Sequence, residues 1–331
     1  MPGNFSSGAR LGIRITPADV GKRVSVRQLV EITDGHPTFT DTVGVLASWD
    51  AGVVSVTRRT GETVRIDEST LVAGKVVPPA PVRGALRVPS VTDEELEAIA
   101  SRAWPASETA PLGGWTLRAA GGFTRRANSV LVAGAPGLPL PAALDAVTRW
   151  YEARGLAPCL QVPDSSPYAA GPHAAVLDAR GWAREADTVI RTAPLAPLLS
   201  LLGPGPADRP VALARIPGAS WLAAYHRTGT LTDAALKVVS GGPSVWFASM
   251  PGAIGRAVVD GRWALFGAVE VEPGRRRRGL ATAVMGALAR QAYAEGATAG
   301  YLQVEADNAA ARALYDRLGF TDHHGYHYRR P

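Results

Sequence analysis

One stretch near the C-terminal end of the sequence constrains the fold more than any other. Residues 263–271 form an apolar segment that ends shortly before Pro273, and a loop rich in glycine and arginine follows at residues 274–279. Beyond this loop, apolar residues recur at the spacing of an α-helix: Leu280, Val284, Leu288 and Ala292. The pattern predicts a strand, a loop and a helix that begins at the loop.

The loop has the composition of an anion-binding site. The first turn of a helix leaves backbone N–H groups unpaired and carries the positive end of the helix dipole, and a glycine there lets phosphate oxygens approach closely. Gly279 occupies this position, and the four arginines at 275–278 add positive charge. Basic surface turns and nucleic-acid contacts use the same residue types, so the loop taken by itself indicates an anion without identifying it.

Two sequence blocks identify a family. The order Arg276-Arg277-Arg278-Gly279-Leu280-Ala281 resembles the (Gln/Arg)xxGx(Gly/Ala) pyrophosphate loop of the GNAT acyl-CoA N-acyltransferases. After an apolar segment at 301–304, residues 308–320 resemble the NxxAxxLYxxxGF segment of the same superfamily. The resemblance implies an N-acetyltransferase that moves an acetyl group directly from acetyl-CoA, its cosubstrate, to a primary amine of a protein or small molecule. It implies no metal.

The resemblance also assigns cofactor contacts. Val269 and Val271 lie on the strand that lends main-chain groups to the pantetheine arm of the cofactor in this superfamily. Asn308 would contact the cofactor near its thiol end, although an asparagine there is also a good helix cap, and both roles can coexist. The pyrophosphate would be held by the loop and the start of the helix: Arg276, Arg277, Arg278, Gly279, Leu280, Ala281 and Thr282.

Acyl transfer needs a neutral amine and a proton for the departing thiolate. Tyr315 matches the general acid of the family, and the alternative is an aromatic ring that packs on its helix. The base stays open, because Gln303 occupies a position where related enzymes that modify protein N-termini carry glutamate. Glu270, Glu272 and Glu305 are the local carboxylates, and we expect Glu270 to contribute most.

The composition is that of an ordinary globular protein, and we expect the protein to be cytoplasmic because the sequence shows no apolar signal core. The 331 residues are 46% hydrophobic and 19% charged, enough for two or three domains. The sequence contains no run of about 18 apolar residues, and residues 1–7 form no apolar signal core, so we expect no membrane partner. The net charge is +6, but four of the 35 Lys and Arg residues lie in the loop at 275–278. Basicity is therefore weak evidence for nucleic acid.

The sequence shows no disulfide or metal motif. Cys159 has no second cysteine to pair with. We expect His323, His324 and His327 to lie on a final hairpin, and their spacing fits no metal site.

Residues 22–77 contain five short alternating segments, which predict a small SH3-like or Tudor-like barrel within residues 1–82. Gly61 suits a tight hairpin turn at 59–61. A reader of methyl-lysine needs several aromatic rings, and this segment offers only Phe39 and Trp49, so a scaffold or a protein partner is the preferred interpretation. The alternative function for the whole chain is a CoA-sensing adaptor without catalysis, or a protein- or nucleic-acid-binding module that acts through this barrel.

The middle of the chain repeats the end. A shift of 142 residues places Leu160-Gln161-Val162 on Leu302-Gln303-Val304, and a shift of 138 places Gly181 on Gly319. With boundaries at Pro78-Pro79-Ala80-Pro81 and Gly203-Pro204-Gly205-Pro206, this predicts two GNAT-like lobes in tandem, 83–202 and 203–331. The expected fold class is α/β (α+β), with mixed central sheets.

The two copies differ in chemistry. The first has Gly137-Leu138-Pro139 and then Pro141 where the second has its phosphate loop, and prolines have no N–H to donate. Ala170 and Leu177 stand at the positions of Asn308 and Tyr315. We therefore expect one acetyl-CoA per chain, at the second lobe. In the first lobe, the polar segment 121–130 is either a wall of the acceptor site or a hairpin with solvated arginines.

Overall fold

The computed structural model describes residues 12–33, 36–58, 62–77, 86–203, 210–226 and 231–331. The chain divides into two compact units, one made of Met1–Arg83 and Gln291–Ala297, the other of Gly84–Arg290 and Thr298–Pro331. The Pro-rich boundary at 78–81 and most of the boundary at 203–206 lie outside the described residues. The division into 1–82, 83–202 and 203–331 therefore stays a prediction.

The first unit contains the five strands that the alternating segments predict. They are β1 (Arg23–Thr33), β2 (His36–Asp50), β3 (Val53–Arg58), β4 (Thr63–Asp67) and β5 (Leu71–Val76). They form an antiparallel sheet in the order β4-β3-β2-β1-β5.

Alternation along these strands buries one face of the sheet. Val24 and Val26 of β1 pack with Leu46, Val54 and Val56 in one apolar core. β1 and β2 are longer than the sequence predicts, because both continue past this core, where Arg27 and Asp41 form an exposed ion pair of 2.7 Å. The turn expected at 59–61 lies outside the described residues, and closure of the sheet into an SH3-like barrel stays a prediction.

The second unit is a mixed α+β structure. Its elements in chain order are α1 (Asp93–Ala103), β6 (Glu108–Leu112), β7 (Trp115–Ala119), β8 (Val130–Val132), α2 (Leu140–Glu152), β9 (Leu160–Pro163), α3 (Gly171–Ala179), β10 (Ala183–Pro194), α4 (Leu195–Leu202), β11 (Ala212–Ala214), α5 (Ala219–Ala224), α6 (Asp233–Ser240), β12 (Ser244–Met250), β13 (Ala253–Asp260), β14 (Trp263–Val271), α7 (Leu280–Ala294), β15 (Ala299–Glu305), α8 (Ala309–Arg317) and β16 (Thr321–Arg330). In the described residues, no helix is both long and apolar enough to span a membrane.

The described strands of this unit form one sheet in the order β11-β12-β13-β14-β15-β10-β16-β9-β8-β7-β6. Two series of elements, β8-α2-β9-α3-β10 and β14-α7-β15-α8-β16, follow the same order. Each contains a parallel pair, β8 with β9 and β14 with β15, joined through a helix. The mixed sheet confirms the expected α+β fold class.

The last strands of the two series are exchanged. β10 lies between β15 and β16, and β16 lies between β10 and β9, all in antiparallel register. The expectation that the histidines 323, 324 and 327 lie on a final hairpin is therefore wrong, because β16 pairs with strands that are distant in sequence.

Local sequence explains where α1 begins. Thr92 is its N-cap, since the Thr92 Oγ1 accepts the N–H of Glu95 at 3.2 Å and the Glu95 carboxylate accepts the N–H of Thr92 at 2.9 Å. Leu96, Ala100 and Ala103 recur at helical spacing and are buried against the sheet.

A single arginine joins three elements in the core of this unit. Arg256 of β13 is fully buried and donates to the carbonyl oxygens of Val239 at 2.6 Å, Gly241 at 2.6 Å and Ala103 at 3.1 Å. These carbonyls lie at the C-terminal ends of α6 and α1, where a cation offsets the negative end of the helix dipole. Its guanidinium also lies 4.8 Å from the centroid of the Trp104 ring. Burial lowers the pKa of Arg256 to about 9, so the group stays charged at neutral pH.

We predict that Arg256→Met lowers the free energy of unfolding by at least about 3 kcal/mol, because a hydrogen bond from a charged donor is worth roughly 1.5–3 kcal/mol and three carbonyls lose theirs. The exposed Arg262 on the adjacent turn offers the control, and Arg262→Met should change stability by less than about 0.5 kcal/mol. Urea unfolding followed by tryptophan fluorescence measures both. Equal midpoints for the two variants would contradict a capping role for Arg256.

Candidate active site

The parallel strands β14 and β15 separate part-way along their length. They pair where Trp263, Ala264 and Leu265 lie opposite Ala299, Gly300 and Tyr301. β14 continues to Val271 and β15 to Glu305, yet neither continuation pairs with the other in this fully described part of the chain.

A bulge in β14 accompanies this separation. Ala268 has a φ of 50°, and the register between β13 and β14 shifts between Ile254 and Arg256. A bulge of this kind bends a strand and increases its twist. The bend turns the end of β14 away from β15 and opens a space between them.

A cleft of about 590 Å³ occupies this space. Residues 265–269 of β14 and 303–305 of β15 line its two strand walls. Among the residues that the sequence predicts for the site, Val269, Asn308 and Tyr315 line the cleft. Tyr315 also packs edge-to-face on Phe320, with ring centroids 5.8 Å apart. Asn308 caps α8, since its Oδ1 accepts the N–H of Ala311 at 3.1 Å. Both residues therefore have a packing or capping role beside their place on the cleft.

The glycine and arginine loop follows directly from the end of β14. Arg277 and Gly279 have positive φ angles of 58° and 77°, a backbone form in which successive N–H groups can face one anion. A Cβ at Gly279 would meet no atom within 4 Å, so the space above this backbone is open. α7 begins at Leu280, and the first N–H groups of a helix have no acceptor within it.

The loop side chains are exposed. Arg276, Arg277 and Arg278 face solvent, and the Nε of Arg276 lies 3.4 Å from the carbonyl of Val271. In the first series, the corresponding helix α2 starts after Pro139 and carries Pro141 in its first turn. Two N–H groups that an anion could use are therefore missing there.

The three candidate carboxylates have different surroundings. Glu305 lines the cleft and forms an ion pair of 2.7 Å with Arg125. Glu270 is not part of the cleft lining, and its Oε2 lies 3.2 Å from the backbone N–H of His226, the residue after the cleft-lining Tyr225. Glu272 is half exposed and pairs with Arg275 at 3.1 Å. The structure thus brings Glu305 to the cleft, while Glu270 contacts the segment that carries one of its walls.

Comparison with known proteins places the chain in a family. Residues 94–329 match the family described as "Probable histone acetyltransferase Rv0428c C-terminal". The chain is also 34% identical to the probable histone acetyltransferase Rv0428c of Mycobacterium tuberculosis over 321 residues, which cover 93% of this chain and 94% of the relative. The chain belongs to the Rv0428c family.

The chain is also similar to more distant proteins. An uncharacterized N-acetyltransferase of Bacillus subtilis, YobR, is 27% identical over 250 residues, 71% of this chain and 97% of YobR. The fold resembles that of a GCN5-related N-acetyltransferase from Kribbella flavida, with a TM-score of 0.55 and 18% identity over 72% of this chain and 95% of that protein. This Rv0428c-family protein is an acyltransferase enzyme, and its fold is that of a GCN5-related N-acetyltransferase.

Several residues of the cleft in this Rv0428c-family protein were not predicted as site residues. Trp104 and Tyr225 line it, and so do Tyr326 and Tyr328 of β16. The two tyrosines of β16 are two residues apart, a spacing that places them on one face of a strand. The two-residue spacing is the sequence signal that indicates a shared face for Tyr326 and Tyr328. Nothing in the sequence near Trp104 or Tyr225 indicates a site.

The segment 121–130 supplies a further wall. Thr124, Arg125 and Arg126 line the cleft. Two arginines of this segment therefore face the cleft and are not simply solvated. Arg126 lies 5.8 Å from the centroid of the Trp104 ring. Burial disfavours its charge, but interactions with Tyr326 and Tyr328, which include a hydrogen bond to Tyr326, outweigh this and raise the pKa of Arg126 overall. Arg126 is therefore a fixed positive charge at the cleft.

One asparagine shapes this wall. The Oδ1 of Asn128 accepts the N–H groups of Ala120 at 2.8 Å and Gly122 at 2.9 Å, while its Nδ2 donates to the carbonyls of Phe123 at 2.7 Å and Thr124 at 2.9 Å. The amide thereby uses all four of its hydrogen-bonding positions on one tight loop. This loop holds the backbone of Thr124 next to the two arginines that face the cleft.

Proposed function

We propose that this protein transfers the acetyl group of acetyl-CoA directly to a primary amine, of a protein or a small molecule, in the cleft between β14 and β15. One observation carries the proposal: a single cleft brings together the unpaired ends of these strands, Asn308 and Tyr315, and β14 leads from it into the loop at 276–279. The matched relative's name includes histone acetyltransferase, and a lysine side chain of a protein is one such amine.

The strand ends would hold the extended part of the cofactor. Beyond Leu265 and Tyr301, the facing edges of β14 and β15 carry backbone groups that no longer pair with each other. The pantetheine arm contains amide groups, which can pair with an open strand edge as an added strand would. Val269 and Val271 would contribute main-chain groups, and Asn308 lies near the reacting end.

The loop and the start of α7 would hold the pyrophosphate. The backbone from Arg276 to Gly279 continues into Leu280, Ala281 and Thr282, whose N–H groups belong to the first helical turn. Arg276, Arg277 and Arg278 would add charge-assisted contacts to the phosphates. The residues present thus fit a phosphate anion in both charge and backbone geometry.

The chemical step is a direct displacement. The neutral amine attacks the thioester carbonyl, the C–S bond breaks, and the sulfur leaves as a thiolate that takes a proton. Tyr315 would give that proton as a general acid, and the amine loses one proton to a base. Glu270 is our candidate base, and Glu305, which lies on the cleft, is its competitor. Products are the N-acetylated amine and CoA with a free thiol.

The two similar series of elements support a tandem of GNAT-like lobes with divided roles. The second, 203–331, would bind one acetyl-CoA. The first, 83–202, would form part of the acceptor wall, since Thr124, Arg125 and Arg126 belong to it and line the cleft. The five-stranded unit would complete an SH3-like barrel and bind a protein partner.

Gly279→Val should abolish acetyl-CoA binding, because a branched side chain would fill the open space above the loop and disfavours a φ of 77°. Arg276→Ala should weaken binding less, since Arg277 and Arg278 remain. Isothermal titration calorimetry measures affinity and the expected stoichiometry of one. The matched control is Gly137→Val, at φ 74° in the corresponding loop of the first series, which should leave binding unchanged. A stoichiometry of two, or retained binding in Gly279→Val, would refute this assignment.

Tyr315→Phe should lower turnover by about 10²- to 10⁴-fold, the usual contribution of general acid catalysis, while acetyl-CoA affinity stays near wild type. The ring and its contact with Phe320 remain, and only the O–H is lost. Steady-state kinetics with a thiol-reactive dye, combined with calorimetry, separates the two effects. Tyr168→Phe is the control, because Tyr168 packs in an apolar core with Trp115 and does not line the cleft. Wild-type turnover in Tyr315→Phe would leave the residue a packing role only, and joint loss of affinity and rate would indicate cofactor binding.

Glu270→Gln should reduce kcat/KM and flatten the acidic side of its pH profile, because a base must be deprotonated to act. Glu272→Gln should behave like wild type, since that carboxylate lies on the exposed loop. The pH dependence of kcat/KM, measured for both variants and for Glu305→Gln, shows which carboxylate acts as the base. An unchanged profile for Glu270→Gln together with a flattened one for Glu305→Gln would transfer the role to Glu305.

A further inference from the structure

Two histidines and an aspartate from distant parts of the chain converge at a point that is not part of the cleft lining. His323 and His324 are adjacent on β16, where neighbouring side chains normally point to opposite faces. Here Ile190 of β10 pairs with His324 and the next residue, Arg191, pairs with Asp322. His323 is therefore the extra residue of a β-bulge, a feature that redirects a side chain. The two rings come within 5.0 Å of each other, centroid to centroid.

Asp93 faces the same point from the first turn of α1. The distance between the Nδ1 atoms of His323 and His324 is 2.8 Å, and the Asp93 Oδ1 lies 3.5 Å from each of them. Around a tetrahedral zinc ion with bonds of about 2.0–2.2 Å, neighbouring donor atoms are roughly 3.3 Å apart. The three observed separations bracket this value.

A buried carboxylate orients one of the histidines. The Nε2 of His324 lies 3.4 Å from the Oε1 of Glu97, one helical turn after Asp93 on α1, and Glu97 is 2% exposed. When this Nε2 carries the proton, the Nδ1 presents its lone pair toward His323 and Asp93. Histidines that bind metal ions are commonly held in this way, with the second ring nitrogen donating to a carboxylate.

Glu97 is itself fixed by a buried chain of polar groups. Its Oε2 accepts from the Nε2 of Gln161 at 2.9 Å, and the Oε1 of Gln161 accepts from Arg118 at 2.8 Å. Arg118 also donates to the carbonyl and the hydroxyl of Ser129, both at 2.9 Å. Side chains of Gln161 on β9 and Arg118 on β7, together with Ser129 just before β8, thus set the position of the Glu97 carboxylate behind His324.

We propose that Asp93, His323 and His324 bind a divalent transition-metal ion of the zinc class, with Glu97 as the carboxylate that positions His324. Two neutral imidazoles and one carboxylate are a donor set that suits zinc and its neighbours in the first transition row. The two carboxylates, Asp93 and Glu97, balance the charge of a divalent ion. A tetrahedral ion would keep its fourth position for water.

The site would join β16, which lines the cleft, to α1, which leads directly into the cleft-lining Trp104. α1 carries Asp93 at its start and is followed by Trp104, while β16 carries the histidines and then Tyr326 and Tyr328. A metal ion here would tie the start of α1 to β16 without contacting the reacting atoms. Its role would be to stabilise these two walls of the cleft, separate from acyl transfer.

The test is zinc binding to the full chain after removal of any affinity tag and of metal by EDTA. Titration with zinc chloride should show one saturable site per chain and a raised Tm. His323→Ala, Asp93→Asn and the double variant His323→Ala/His324→Ala should each weaken binding by at least about tenfold, because even loss of an outer-sphere partner costs roughly 10- to 100-fold. Glu97→Gln should weaken zinc binding by roughly 10- to 100-fold, because Glu97 would hold His324 without contacting the metal ion.

His173→Ala is the control, since His173 is exposed and contacts the ring of Tyr168 instead. Circular dichroism establishes that each variant folds. The His323 side chain is 19% exposed and that of His324 is 4% exposed, so the fold should tolerate His323→Ala more readily than a change at His324. Absence of a saturable zinc site, or equal affinity in wild type and His323→Ala, would overturn the proposal and leave a plain hydrogen bond between the two imidazoles. Because the readout is metal binding and Tm, the result does not depend on whether acetyl-CoA is the cosubstrate.

Discussion

The proposed active site depends on the limited pairing of two parallel strands. β14 and β15 are held together at Leu265 and Tyr301 and then diverge, with Ala268 in a backbone form that few residues other than glycine adopt. In a fully paired sheet, these strand ends would satisfy each other's N–H and C=O groups. Separation leaves both edges available to a ligand and creates the volume that Asn308, Tyr315 and Arg126 face. A destabilising local feature, an interrupted ladder, is therefore the feature on which ligand access depends.

The rest of the second unit holds these strands in place. Arg256 connects β13, the neighbour of β14, to the ends of α1 and α6 through three carbonyls. Asn128 holds the loop that carries Arg125 on another wall of the cleft. There Arg125 forms an ion pair of 2.7 Å with Glu305 of β15. Each anchor is a polar side chain that saturates several backbone or charged groups at once, so the cleft is bounded by fixed elements.

The sequence was most informative where a motif combines local pattern with local chemistry. The strand 263–271 and the start of α7 follow from hydrophobic periodicity and from Pro273 and Gly279, and the cap of α8 follows from Asn308. Periodicity alone does not assign residues 231–240, because Val238 and Val239 suit a helix or a strand. In the structure Asp233–Ser240 form α6, with both valines buried. The exchange of β10 and β16 left no local signal, since strand order is set by contacts between distant segments. The same reason hides Trp104 and Tyr225 at the cleft, and the approach of Asp93 to His323.

The exchange of the final strands has a consequence for synthesis of the protein. β10 finds both of its neighbours, β15 and β16, in the C-terminal part of the chain. While the ribosome is still translating that part, β10 has two unpaired edges and the first series cannot close its sheet. A nascent chain folds progressively from its N-terminus, so this strand must wait, exposed, until the second series has emerged. Pauses in translation between the two series would lengthen that interval, and a chaperone that covers strand edges would have its natural substrate there.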